Sequence, residues 1–141
     1  MHAQFRFEPL GHYPHLAYHE ALIWDKFVRA NPEWAQVVDY DVTVGEPDKV
    51  PEGTPDYTKK DWEYLRSWKI DAVAVKDGLY YIIEIRPSAG LGAIGEIISK
   101  ASMYQEEHPD VPEVEAIIIT DVERPNMKKL TADRDIGYII V

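Results

Sequence analysis

The stretch KIDAVAVKDGLYYIIEIR, Lys69 to Arg86, decides the reading of the fold. Its centre is Asp77-Gly78, a dipeptide suited to a two-residue type I′ turn, in which both central residues take positive φ. Apolar residues run away from that turn on either side. The pattern predicts an antiparallel hairpin in which Lys76 pairs with Leu79. Stepping back in that register places Asp71 opposite Glu84 and Lys69 opposite Arg86. Side chains alternate along a strand, so Lys69, Asp71, Val73 and Val75 share a face with Tyr80, Ile82, Glu84 and Arg86.

Directly opposed Cβ atoms lie about 4.5–5.5 Å apart. Two carboxylates at that spacing repel, unless one takes up a proton or a cation sits between them. Mg²⁺ or Mn²⁺ fits, since such ions take a few carboxylate oxygens plus waters, with a carbonyl such as that of Ile85 as a further donor. A second reading of the same residues is a diagonal salt-bridge cluster, Asp71 with Arg86 and Glu84 with Lys69.

Outward from the hairpin, 16–30 carries an apolar stripe at helical spacing (Leu16, Ile23, Trp24, Phe27, Val28), closed by Asn31-Pro32. Residues 36–44 alternate as a strand, with Val38, Tyr40 and Val42 on one face and Asp39, Asp41 and Thr43 on the other. Residues 45–67 form a long insertion rich in Pro, Gly and charge, with one helical turn near Asp61–Leu65. After the hairpin, 93–107 reads as a helix with Ile94, Ile97, Ile98, Ala101 and Tyr104 on one face. VEAIIIT (114–120) reads as a strand buried on both sides. RPNMKKLTADRD predicts a short helix and IGYIIV a last strand. The expected fold class is α/β, a mixed central sheet flanked by helices, in one domain spanning 1–141.

The chain has 141 residues, 45% of them hydrophobic, a formal net charge of −10 and no cysteine. Disulfides and zinc-thiolate sites are excluded. The charge argues against bulk electrostatic binding of nucleic acid, though not against a local basic patch. No run of about 18 apolar residues predicts a membrane span. The beginning, MHAQFRFEPLGHYPHLAYHE, lacks the pattern of a signal peptide, so an intracellular setting, cytoplasmic or virion-associated, is the expectation.

Asp71, the hairpin and then Glu84-Ile85-Arg86, with a helix before the sheet and another after it, resemble the PD-(D/E)XK nuclease superfamily. The resemblance runs from about Leu16 to Thr120. It implies a restriction-endonuclease-like core (αβββαβ) and metal-dependent phosphodiester hydrolysis of DNA or RNA. Asp71 and Glu84 would be the metal-binding acids, with Glu20 on the first helix as an accessory metal acid. Mg²⁺ or Mn²⁺ would be the cofactor. The family's motif lysine is here Arg86, which keeps the charge but is effectively never deprotonated. Lys69, on the same face, and Lys100, on the second helix, are substitutes, although Lys100 also suits an i,i+4 pair with Glu96.

Other features point to binding. Lys59, Lys60, Arg66 and Lys69 interleave with Tyr57, Trp62, Tyr64 and Trp68. Arg124, Lys128, Lys129 and Arg134 form a second basic group. The aromatics suit either a nucleic-acid surface or a protein contact. An alternative function is therefore a catalytically degenerate nuclease-fold protein, an oligomer or complex subunit in a phage particle or mobile-element complex. Gly90, Gly92 and Gly95 match G-x-G-x-x-G, but at the third strand, in an antiparallel pair, rather than in the first βα unit of a parallel sheet. His15 and His19 lack the partners of an HExxH site and read as polar residues near a helix start.

Overall fold

In the computed structural model, the described residues are 5–46 and 49–141, with the backbone alone described at 64–66. Six strands form one open sheet in the order β1 to β6: β1 (Phe5–Arg6), β2 (Val37–Val44), β3 (Trp68–Lys76), β4 (Leu79–Ile85), β5 (Val114–Thr120) and β6 (Gly137–Ile140). Neighbours are antiparallel from β1 to β4 and parallel from β4 to β6. The change falls where the connections change. A two-residue turn joins β3 to β4, whereas α3 (Leu91–Glu107) and α4 (Met127–Ala132) carry the chain back for the parallel steps.

Helix α1 (Tyr18–Ala30) covers one face of the sheet and α3 the other. Under α1, Ile23, Trp24, Phe27 and Val28 pack on Val38, Tyr40, Ala72, Ala74, Ile83 and Ile85. Under α3, Ala93, Ile94, Ile97 and Tyr104 pack with Val44, Ile70, Val73, Ile82 and Ile118. Ile98, expected on that stripe, is instead exposed. In the first core the fully buried Trp24 donates its Nε1–H to the Tyr40 hydroxyl at 2.9 Å. Replacing Tyr40 with Phe leaves that N–H without its acceptor, an expected loss of about 1–2 kcal/mol. Equilibrium urea unfolding measures it.

Asp77 (φ 49°) and Gly78 (φ 83°) both take positive φ, as the turn requires. The insertion differs from expectation. In place of one turn it holds an eleven-residue helix, α2 (Asp56–Arg66), which starts just after Pro55 and carries a Lys59–Asp56 pair at 2.8 Å.

The facing of β2 is also corrected. Val38 and Tyr40 lie in the core under α1, but Val42 packs with Val44 against the core under α3. The same exchange occurs in β3, between Ala72 and Ile70. Between these residues Asp41 has φ 55°, which breaks the period-two alternation without disturbing the register: Tyr40 still pairs with Ala72 and Val42 with Ile70. Asp41 and Asp71 fall between these two pairs, at the switch.

Candidate active site

The β3–β4 pairing runs from Lys76–Leu79 to Ala72–Ile83. Asp71 and Glu84 are the next residues beyond its end. There the Ile85 N–H, which a continuing ladder would direct to the backbone of β3, donates to Asp71 Oδ2 at 2.8 Å. The Asp71 carboxylate thus takes the place of a strand acceptor where the two strands part. Beyond this point β3 continues with β2 alone, pairing Ile70 with Val42, Lys69 with Thr43 and Trp68 with Val44.

Lys69 therefore does not pair with Arg86 across the hairpin, as the extended register would require. Its cross-strand partner is Thr43, and its Nζ donates to the Ser67 carbonyl at 3.1 Å. Arg86 lies just past the end of β4, and its N–H donates to the Ile119 carbonyl of β5.

Glu84 is only 3% exposed and holds two cations. Its Oε1 accepts from Arg86 Nη2 at 2.7 Å, and its Oε2 from Lys100 Nζ at 3.1 Å. Neither is the partner in the diagonal salt-bridge reading, which paired Glu84 with Lys69 and Asp71 with Arg86. The same Nη2 of Arg86 also donates to Glu96, and Lys100 lies 3.6 Å from Glu96. Glu96 is thus a second acid for both cations, placed so that either keeps a carboxylate if Glu84 turns elsewhere.

Burial dominates the electrostatics of the two acids. Burial, and then the neighbouring Glu84 carboxylate, push the Asp71 carboxyl up to about 7; the Ile85 N–H and Lys100 oppose the rise, and Glu20 adds to it. Burial also raises Glu84, against the pull of Lys100 and Arg86. Glu96 lies below its ordinary value, because Arg86 and Lys100 outweigh the effect of its burial.

Glu20 sits in the first turn of α1, where its Oε1 accepts the Ala17 N–H at 3.2 Å. Among the described residues, no group of three or more His, Asp or Glu stands together as a metal cluster. The structure thus brings Asp71 and Glu84 together and leaves Glu20 at the distance of an electrostatic neighbour. Both carboxylates are raised chiefly by burial, Asp71 also by Glu84, and they are adjoining hard oxygen donors of a kind that suits Mg²⁺ or Mn²⁺.

Lys100 was legible as more than a helix-surface lysine. It falls three residues after Ile97 and four before Tyr104, on the buried stripe of α3, and its side chain is 14% exposed. A lysine on such a stripe needs a buried acid. Asp41 is the less legible residue. Its carboxylate lies 3.7 Å from His15 Nε2, and nothing in the alternating pattern of β2 marks its positive φ.

Beside the acids lies a groove of about 590 Å³, lined by Trp68 and Lys69 of β3 and by Gly92, Gly95, Glu96 and Lys100 of α3. Trp68 is 53% exposed, Tyr57 84% and Trp62 36%; the side chain of Tyr64 lies outside the described residues. Of the two basic groups, Lys59, Lys128 and Lys129 are paired with nearby acids.

These features define the class: an α/β protein with an open six-stranded mixed sheet, helices on both faces, and two acids meeting where a hairpin opens. No protein-family model matches the chain, and no curated protein matches it. Among solved structures it is similar to the crystal structure of a protein of unknown function, AF1548, at 17% sequence identity and a TM-score of 0.47. The match covers 80% of this chain and 53% of that one, so the chain spans about half the length of that protein. Among the described residues no helix is long and apolar enough to cross a membrane.

Proposed function

We propose that the chain is a nuclease-like domain of the PD-(D/E)XK type, with a restriction-endonuclease-like core, that hydrolyses phosphodiester bonds of nucleic acid with Mg²⁺ or Mn²⁺. The observation that carries this reading is the meeting of Asp71 and Glu84 at the opening of the β3–β4 hairpin, with Lys100 against Glu84. Asp71 and Glu84 would hold the ion, which supplies an activated water and a counter-charge for the phosphate. The chain's own residues supply the rest. The Ile85 N–H fixes the Asp71 carboxylate, and Glu96 shares the Arg86 guanidinium with Glu84. Lys100 presents an ammonium at the acids, where it stabilises negative charge developing on a phosphate oxygen. Arg86 is a brace between two carboxylates, and the position of the motif lysine is served from α3.

One observation favours the alternative, a degenerate nuclease fold acting as an assembly subunit: the guanidinium at the motif position is shared by Glu84 and Glu96. One experiment separates the two readings. Isothermal titration with Mn²⁺ is expected to show binding that Asp71→Ala abolishes, and labelled DNA and RNA are expected to be cut only by the unsubstituted chain. No metal binding together with intact substrates, single- and double-stranded, sinks the hydrolase and leaves the assembly subunit.

A further inference from the structure

The groove beside Asp71 and Glu84 says what form of nucleic acid the site takes, an inference that rests on the hydrolase reading above. We infer that it takes a single strand, DNA or RNA, with a base stacked on Trp68 and the adjoining phosphates near Lys69 and Lys100. Trp68 stands three residues before Asp71 on the same strand, about 10 Å along it, so a base on its indole lies one to two nucleotides from the acids. The chain buries Trp24 completely but leaves Trp68 53% exposed at the groove. Gly45 lies beside the ring and leaves that side open, since a Cβ built there would sit 3.9 Å from Trp68 Cε3. A half-exposed indole at a groove beside the acids is a stacking platform.

Charge supports a single strand over a duplex. The chain carries a formal net charge of −10, and at the site Arg86 and Lys100 are engaged by Glu84 and Glu96. Such a surface cannot draw on the many phosphate contacts that hold a duplex. Stacking does not depend on charge and needs bases out of the helix, which a single strand offers directly. The Gly92–Gly95 side of α3 puts no bulky side chain in the groove beside the two lysines.

The test is fluorescence anisotropy with labelled single-stranded DNA, single-stranded RNA and a blunt duplex of one sequence, in Ca²⁺ to hold back cleavage. At least one single strand is expected to bind about tenfold tighter than the duplex, Trp68→Ala to remove about tenfold of that affinity, and Trp68→Phe to restore most of it. Duplex binding as tight as that of both single strands overturns the inference. So does unchanged single-strand affinity in Trp68→Ala, or a Trp68-dependent self-association with no nucleic acid bound. Cleavage in Mg²⁺ separates the two claims. A chain that cuts only duplex refutes this inference and keeps the hydrolase, whereas Trp68-dependent binding of single strands without any cleavage keeps this inference and refutes the hydrolase.

Discussion

Asp71→Asn is expected to stabilise the metal-free protein at pH 8 by about 2–4 kcal/mol, and to leave it nearly unchanged at the acid end. The Asp71 carboxyl is pushed from an ordinary 3.8 up to about 7 by burial and by Glu84. A folded-state value above the unfolded one means that the folded chain keeps a proton the unfolded chain releases. Stability therefore falls as pH rises between about 4 and 7, and the deficit is complete above that window. Asparagine keeps an oxygen for the Ile85 N–H and carries no charge, so it removes the repulsion and keeps the hydrogen bond. Urea melts from pH 4 to pH 8 in chelator give the comparison. Adding Mn²⁺ is expected to close the gap by stabilising the unsubstituted chain alone. A difference between the two chains that stays constant with pH would refute the electrostatic account.

Lys100→Met is expected to lower single-turnover cleavage about 10²–10³-fold, the size of losing one preorganised charge donor at a reacting phosphate. Arg86→Met is expected to lower it less, because Arg86 hydrogen-bonds both Glu84 and Glu96, whereas Lys100 hydrogen-bonds Glu84 and stands 3.6 Å from Glu96. Removing Lys100 also leaves Glu84 nearly buried without its ammonium, and the carboxyl answers by rising further in pKa. Thermal melts at acid pH, where Glu84 is protonated in both chains, separate that structural cost from the kinetic one. If Arg86→Met is inactive while Lys100→Met cuts normally, the roles are reversed and Arg86 does the work of the motif lysine.

Both predictions depend on residues of different legibility. Asp71 and Glu84 follow from Asp77-Gly78 by counting, because a type I′ turn fixes the register of every pair behind it. The structure keeps that register as far as Ala72–Ile83. Counting fails one step later. Lys69 was placed opposite Arg86, but the ladder ends at the acids, and Lys69 turns with β2 toward Thr43. No local pattern reports a ladder ending, because it depends on where a third strand pulls the second.

The sequence by itself determined the order of the elements outside the 45–67 insertion, the hairpin and its turn, the buried β5 and the approach of the two acids at the hairpin's end. These rest on interactions between near neighbours and on periodicity, which local chemistry dictates. Only the tertiary structure decided which cation serves those acids. Lys100 reaches Glu84 because α3 packs its Ile97–Tyr104 stripe on the sheet, sixteen residues away along the chain. It also decided the exchange of faces at Asp41 and Asp71, and the parting of β3 from β4. A charge left at the edge of two cores finds its partner through packing, and packing is settled by every element at once.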